Sequence, residues 1–218
     1  MDRERIIHDV RAYLTNELHI DLKSTPIKVA LEENAIVMEG EVENISLKKR
    51  TVLAAMAEPG ITGVIDRLMV RPSRTMTDKE IADHLNDALS EESAIDCSAI
   101  TVEVNDGIID LEGVVPSLTH KRLTGVLAWW IPGSRDVINS LDVQPPEEDT
   151  DDEVTDAVRT ALEKDRLVDA SAIRVATKEY LVTLSGTARD DIAREAAEND
   201  AWYVWGVNTV INEIEVIR

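Results

Sequence analysis

The chain has 218 residues, of which 44% are hydrophobic and 30% charged, a composition that excludes disordered and collagen-like proteins. Its 23 basic and 43 acidic side chains give a net charge of −20, which repels DNA and RNA and argues against nucleic acid as a partner. The charge is uneven, since residues 1–74 carry 11 basic and 12 acidic side chains and the remainder is strongly acidic.

An internal repeat organises the whole chain. Glycine recurs at Gly40, Gly113 and Gly186, a spacing of 73 residues, and two other sets of identical residues share that spacing. Three such periods account for essentially the entire sequence, so the function must reside in the repeats or on their surfaces. The predicted domains are 1–74, 75–146 and 147–218.

Each repeat opens with a predicted amphipathic helix. In the second repeat, apolar residues recur every four positions from Ile81 to Leu89, and the same spacing occurs from Val154 to Leu162 in the third repeat and from Ile6 to Leu14 in the first. Thr77–Glu80 and Thr150–Glu153 fit the capping box, in which the Thr side chain accepts from a backbone N–H and the Glu reaches back. These pairs mark the helix starts.

A β-hairpin is predicted next. In the second repeat, Ile100–Val104 and Ile109–Val114 alternate as strands do, and the Asp106-Gly107 pair between them favours the positive φ angles of a tight turn. The same hairpin is expected at Ile27–Val42 and Ile173–Ala188. Because Gly113 falls inside a strand, we expect there a bulge or a close approach of the backbone to a helix.

A second helix and a closing strand complete each repeat. The order αββαβ predicts an α+β fold of three tandem domains, each a small mixed three-stranded sheet covered on one face by two helices. The predicted second helices span about 46–58, 117–131 and 189–204, and the closing strands 64–70, 137–143 and 210–216.

The pattern resembles the BON domain. The features that carry the resemblance are the hairpin at Ile100–Val114, the helix end Ile131-Pro132-Gly133 and the strand Val137–Val143. The first repeat is looser, with Glu58-Pro59-Gly60 at the helix end, and the third has Trp205 where the proline would be. The resemblance implies non-enzymatic modules, often periplasmic and osmotically induced, that have been proposed to contact phospholipid or to act in transport and envelope maintenance.

Basic side chains concentrate in the first repeat and the linker after it. We expect this group to meet an anionic surface or the acidic repeats of another copy; the alternative is a solvated helix start and linker. The candidate residues are Lys48, Lys49, Arg50, Arg71 and Arg74.

Five of the seven aromatic residues fall at one place in the repeat, the end of the second helix. The second helix of the middle repeat is apolar nearly all round, which predicts burial on more than one side. We expect it to dock against a neighbouring repeat with its Trp rings in the interface; the alternative is an exposed patch that enters a membrane or grips a partner. The five residues are Trp129, Trp130, Trp202, Tyr203 and Trp205.

The residues of a reaction centre are not evident. No HExxH, CxxC or Gly-rich phosphate loop is present, and the four His residues have no partners at metal-ligand spacing. The acidic run 147–153 lacks the spacing of an EF-hand loop and reads as a solvated linker and helix start. The sequence therefore predicts no enzyme, no cofactor and no metal site.

Without a reaction centre, the repeats predict a binding or scaffolding protein; the resemblance implies a role in osmotic or stress adaptation and, together with the basic and aromatic groups, contact with phospholipid. The alternative is a protein that binds other proteins or itself, through its basic first repeat and acidic second and third repeats. A third possibility, RNA binding through a KH-like αββαβ unit, lacks the basic GxxG loop. No secretory signal is visible and Cys97 is the single cysteine, so we expect a cytoplasmic protein, or a periplasmic one if the true start lies upstream.

Overall fold

A computed structural model describes residues 3–93, 95–147 and 149–217. The chain divides into two compact units, Met1–Arg71 and Pro72–Arg218. The first unit contains one repeat and the second contains two.

The first unit has the predicted αββαβ order. Its sheet has the order β1-β2-β3, in which β2 is antiparallel to β1 and parallel to β3. Ile6, Val10 and Leu14 form the buried face of the first helix. The elements are α1 (Arg3–Asn16), β1 (Lys28–Glu32), β2 (Ala35–Val42), α2 (Ile45–Met56) and β3 (Gly63–Val70).

The second unit repeats this arrangement twice, which confirms the predicted fold class. In each sheet the hairpin is antiparallel and the closing strand is parallel to the second strand of the hairpin. The elements are α3 (Asp78–Glu91), β4 (Ile100–Asn105), β5 (Ile108–Val115), α4 (Leu118–Trp130), β6 (Asp136–Asn139), β7 (Asp142–Val143), α5 (Asp151–Lys164), β8 (Ile173–Lys178), β9 (Leu181–Ala188), α6 (Asp191–Tyr203) and β10 (Thr209–Val216).

The closing strand of the second repeat is interrupted, where one continuous strand was predicted over 137–143. Both pieces, β6 and β7, pair in parallel with β5. Between them the Ser140 N–H donates to the Leu111 carbonyl at 2.9 Å, and Leu141 is buried in the core of the repeat.

Local hydrogen bonds explain where the helices of the second unit begin. The capping boxes predicted at Thr77 and Thr150 are both present. The next residue of each helix, Asp78 or Asp151, accepts two backbone N–H bonds from the hairpin turn of its own repeat, at 2.7 to 3.0 Å. One carboxylate therefore joins each helix start to a hairpin turn.

The repeated strand glycine makes a close backbone contact. Gly113 has a φ of +133°, and a Cβ there would lie 2.0 Å from the Ala99 carbonyl oxygen, which ends a one-turn 3-10 helix at Cys97–Ala99. Gly186 meets Ala172 in the same way, at 2.1 Å. The predicted close approach is confirmed, while the regular pairing of Gly113 with Ile100 shows that no bulge forms there.

Candidate functional site

The second and third repeats pack together through their helices. Helix α4 contacts both α5 and α6. Beyond the end of α3, the Glu92 carboxylate accepts from the Lys164 ammonium of α5 at 2.6 Å. We call this set of contacts the repeat–repeat interface; it confirms the prediction that α4 docks against a neighbouring repeat.

Aromatic side chains form the centre of the repeat–repeat interface. The rings of Trp129 and Tyr203 stack at a centroid distance of 5.4 Å and an interplanar angle of 13°. The indole N–H of Trp130 donates to Asp200 Oδ1 at 2.9 Å, and Trp202 is only 2% exposed. Four of the five predicted aromatic residues therefore pack inside the unit.

Trp205 is the exposed member of the aromatic group. It keeps 42% of its accessible surface, and the Lys121 ammonium lies 4.4 Å from the centroid of its ring. This geometry is a cation–π contact. Burial lowers the pKa of Lys121, an effect that Asp142 opposes. The Lys121 ammonium thus covers part of one face of the exposed Trp205 ring.

Arg122 is a charged residue at the core of the repeat–repeat interface, where it is 1% exposed. Its Nε donates to the Trp205 carbonyl at 3.0 Å, and its Nη2 donates to the Asp149 carboxylate in an ion pair. The sequence analysis did not single out this residue. The available signal was one arginine directly before the predominantly apolar stretch 123–130 of the same helix.

Asp200 is a second buried charged residue that the sequence analysis missed. It is 1% exposed, and its Oδ2 receives no hydrogen bond from the described residues. Burial, reinforced by the nearby Asp165 carboxylate, raises the pKa of Asp200 to about 8, while the Trp130 hydrogen bond opposes the shift. Burial and the carboxylates of Asp200 and Asp165 also raise the pKa of Tyr203. Asp200 is therefore protonated in the folded protein at neutral pH.

Replacing Asp200 by asparagine is expected to flatten the pH dependence of stability of the second unit. Folded Asp200 keeps its proton up to about pH 8, whereas the unfolded chain releases it above ~4, so stability falls as the pH rises between these values. Between pH 6 and 7.5 the wild type should lose ~1–2 kcal/mol of unfolding free energy that Asp200→Asn retains. Urea unfolding at both pH values measures this difference.

The control is Asp156→Asn, which removes a carboxylate whose side chain is 77% exposed. Asparagine at position 200 can still accept from the Trp130 indole, so the variant keeps that contact. Equal pH slopes for wild type, Asp200→Asn and Asp156→Asn would show that Asp200 is ionised in the folded state.

Lys48 does not belong to an exposed basic surface, contrary to its place in the predicted basic group. It is 3% exposed, and its ammonium donates to the Leu68 carbonyl at 2.6 Å and lies 3.3 Å from the Asp66 carboxylate. In the second repeat Asn139 stands where Asp66 does, and its amide donates to the Lys121 carbonyl at 2.8 Å. The change from amide to carboxylate in the first repeat supplies the countercharge that Lys48 needs to be buried.

The other predicted basic residues are exposed and fall on both units. Lys49 and Arg50 lie on α2, and Arg71 lies at the end of the first unit with its Nε 3.0 Å from the Glu41 carboxylate. Arg74 belongs to the second unit. Of the predicted basic group, Lys49, Arg50 and Arg71 are therefore the exposed members in the first unit.

The acidic residues before α5 and in its first turn make contacts that stabilise the fold. Glu147 accepts from the Leu118 N–H at 2.8 Å, Asp149 pairs with Arg122, and Glu153 completes its capping box. The run includes Glu148, which lies outside the described residues. Among the described residues no group of three His, Cys, Asp or Glu side chains could hold a metal ion.

No helix in the described part of the chain combines the length and apolar character needed to cross a bilayer. Three surfaces are candidates for binding: the exposed basic group of the first unit, the Trp205 face, and a groove between α1 and α2. The cavity in that groove has a volume of about 370 Å³, and Tyr13, Leu18 and Leu53 contribute to its lining.

Comparisons with known proteins agree with the triplicated architecture. A sequence model of the BON domain family matches residues 2–72, 77–145 and 150–218. The chain is 27% identical over 147 residues to osmotically-inducible protein Y of Escherichia coli K12, a match that covers 65% of this chain and 72% of that protein. A solved structure of the C-terminal domain of CdsD, the structural protein of the type III secretion system of Chlamydia trachomatis, aligns over 100% of both chains at 16% identity with a TM-score of 0.29.

Proposed function

The chain belongs to the BON domain family, and from that membership we propose that it is a non-catalytic binding protein that acts in osmotic or other stress adaptation. The similarity to an osmotically inducible protein supports the stress role. The observation that carries the binding role is the use of the buried charged groups: Arg122 and Lys48 are engaged in contacts between or within repeats. Charged side chains held in such contacts stabilise the packing of the repeats and take no part in converting a substrate.

Anionic phospholipid is the ligand that we propose for the first unit. Lys49, Arg50 and Arg71 are exposed there, in the part of the sequence where basic and acidic side chains are nearly balanced. Each exposed cation near an anionic membrane contributes ~1 kcal/mol of attraction, and this falls off within a Debye length. The acidic remainder of the chain opposes binding, so the first unit would approach the membrane first.

Cosedimentation with vesicles of graded anionic lipid content tests this function. Pelleting is expected to increase with the anionic fraction and to decrease with salt. Lys49→Glu/Arg71→Glu, which spares the groove between α1 and α2, should reduce it at least about fivefold, since the exchange turns two local attractions into repulsions. The matched control, Arg166→Glu/Arg174→Glu, makes the same charge change at exposed sites of the second unit. Absence of pelleting at low salt, or equal losses in both double variants, would refute lipid binding by this surface.

Protein–protein association is the second candidate function. The observation that favours it is the pairing of helical faces between the second and third repeats. The helices of one repeat pack against those of a neighbouring repeat within the chain. Side chains of the same kind can make such contacts between two chains. If instead the basic first repeat meets the acidic repeats of another copy, the complex is expected to dissociate as the salt concentration rises.

A further inference from the structure

The groove between α1 and α2 is the first repeat's counterpart of the repeat–repeat interface. In the 73-residue register, Ala57 of α2 stands at the position of Trp130 and Tyr203, and Ala54 at the position of Asp200. Trp130 donates to Asp200, and Tyr203 stacks on Trp129. The positions that join the second and third repeats therefore line the groove in the first.

The groove presents apolar surface to solvent. Tyr13 of α1 lines the groove and is 46% exposed, which makes it one of the larger exposed hydrophobic side chains among the described residues. The small side chains of Ala54 and Ala57 leave a cavity of about 370 Å³ at the place where the other two repeats carry bulkier residues. An exposed apolar concavity of this kind marks an interaction site.

The charges around the groove fit a partner of the same kind. Arg50 lies on one part of its lining, and Asp9 and Glu58 lie on others. A two-fold interface brings the same surface from both subunits together, so a groove with both signs of charge can pair its cation with the anions of its copy. A uniformly acidic or basic groove could not do this.

We propose that the α1/α2 groove of the first repeat binds the same groove of a second copy, giving a two-fold dimer of the chain. The proposal rests on the proposed function as a binding protein and names one of its partners. Within the chain, the corresponding faces of the second and third repeats occupy each other. The first unit contains a single repeat, so a second copy of the groove supplies the matching face.

The test is the molar mass of the full chain by light scattering and sedimentation velocity, without lipid, at protein concentrations from about 1 to 500 µM. A dimer of the 24.2 kDa chain is expected, and it should persist in 0.5 M NaCl because apolar contacts are not screened. Tyr13→Asp and Ala57→Asp should each raise the dissociation constant at least about tenfold, by placing a charge in a desolvated contact. Circular dichroism checks that both variants fold.

The matched control is Ile192→Asp, which adds the same charge at a residue of α6 that is 66% exposed; its dissociation constant should equal that of the wild type. A monomer at every concentration would overturn the proposal. So would a dimer that dissociates in salt or that ignores both groove substitutions. Because no membrane is present, these outcomes are independent of the vesicle experiment, and either result can fail alone.

Discussion

Replacing Arg122 by methionine is expected to lower the free energy of unfolding of the second unit by about 3–5 kcal/mol. The substitution keeps much of the apolar stem but leaves the Asp149 carboxylate, whose side chain is 22% exposed, without its cation. It also removes the donor to the Trp205 carbonyl. Removing one member of a buried ion pair is costly because the other charge stays desolvated. Urea unfolding followed by tryptophan fluorescence, which arises from the second unit alone, measures the loss.

Two further variants test whether the loss of stability comes from breaking a buried ion pair. Arg159→Met removes a cation whose side chain is 55% exposed and whose partner is Asp156, and it should cost less than ~1 kcal/mol. The double variant Arg122→Met/Asp149→Leu removes both charges, so it should recover part of the loss. An Arg122→Met protein as stable as Arg159→Met would contradict the assignment of Arg122 to the interface core.

Replacing Gly113 by alanine is expected to destabilise the second repeat by about 2–4 kcal/mol. The added Cβ would lie 2.0 Å from the Ala99 carbonyl oxygen, and the φ of +133° is a conformation that side chains disfavour. Since both the glycine and the carbonyl belong to backbone, the overlap cannot be relieved by turning a side chain. The unfolding midpoint of the second unit, followed by tryptophan fluorescence, reports the effect, and circular dichroism on the same samples adds the midpoint of the first unit.

The first unit supplies the control for this prediction. Gly63 also lies in a strand, but a Cβ there would meet no atom within 4 Å. Gly63→Ala should therefore change stability by no more than ~0.5 kcal/mol in either direction. Similar midpoints for the two alanine variants would show that the backbone near Gly113 yields more easily than the geometry indicates.

The elements of the fold could be predicted because their signals are local. The capping residues Thr77 and Thr150 and the Asp106-Gly107 turn act on backbone groups within a few positions, and the capping signal occurs in both repeats of the second unit. The docking of α4 was also predictable, because a helix that is apolar nearly all round requires neighbours on several sides.

The polar partners could not be predicted, because each depends on a residue distant in sequence. Lys48 reads as part of an exposed basic run until Asp66 is brought beside it by the parallel pairing of β2 and β3. Asp200 reads as one acid among 43 until Trp130 of the neighbouring repeat reaches it. The sequence contains these pairs, but only the packed helices and sheets reveal which residues meet.

The distribution of tryptophan within the chain has a practical consequence. Trp129, Trp130, Trp202 and Trp205 all belong to the Pro72–Arg218 unit, while the Met1–Arg71 unit has Tyr13 as its aromatic residue. Indole emission therefore reports on the Pro72–Arg218 unit and gives no signal from the Met1–Arg71 unit. A melt recorded by fluorescence alone would look like a single transition even if the N-terminal unit denatured separately, and far-ultraviolet ellipticity recorded on the same sample would expose the hidden step.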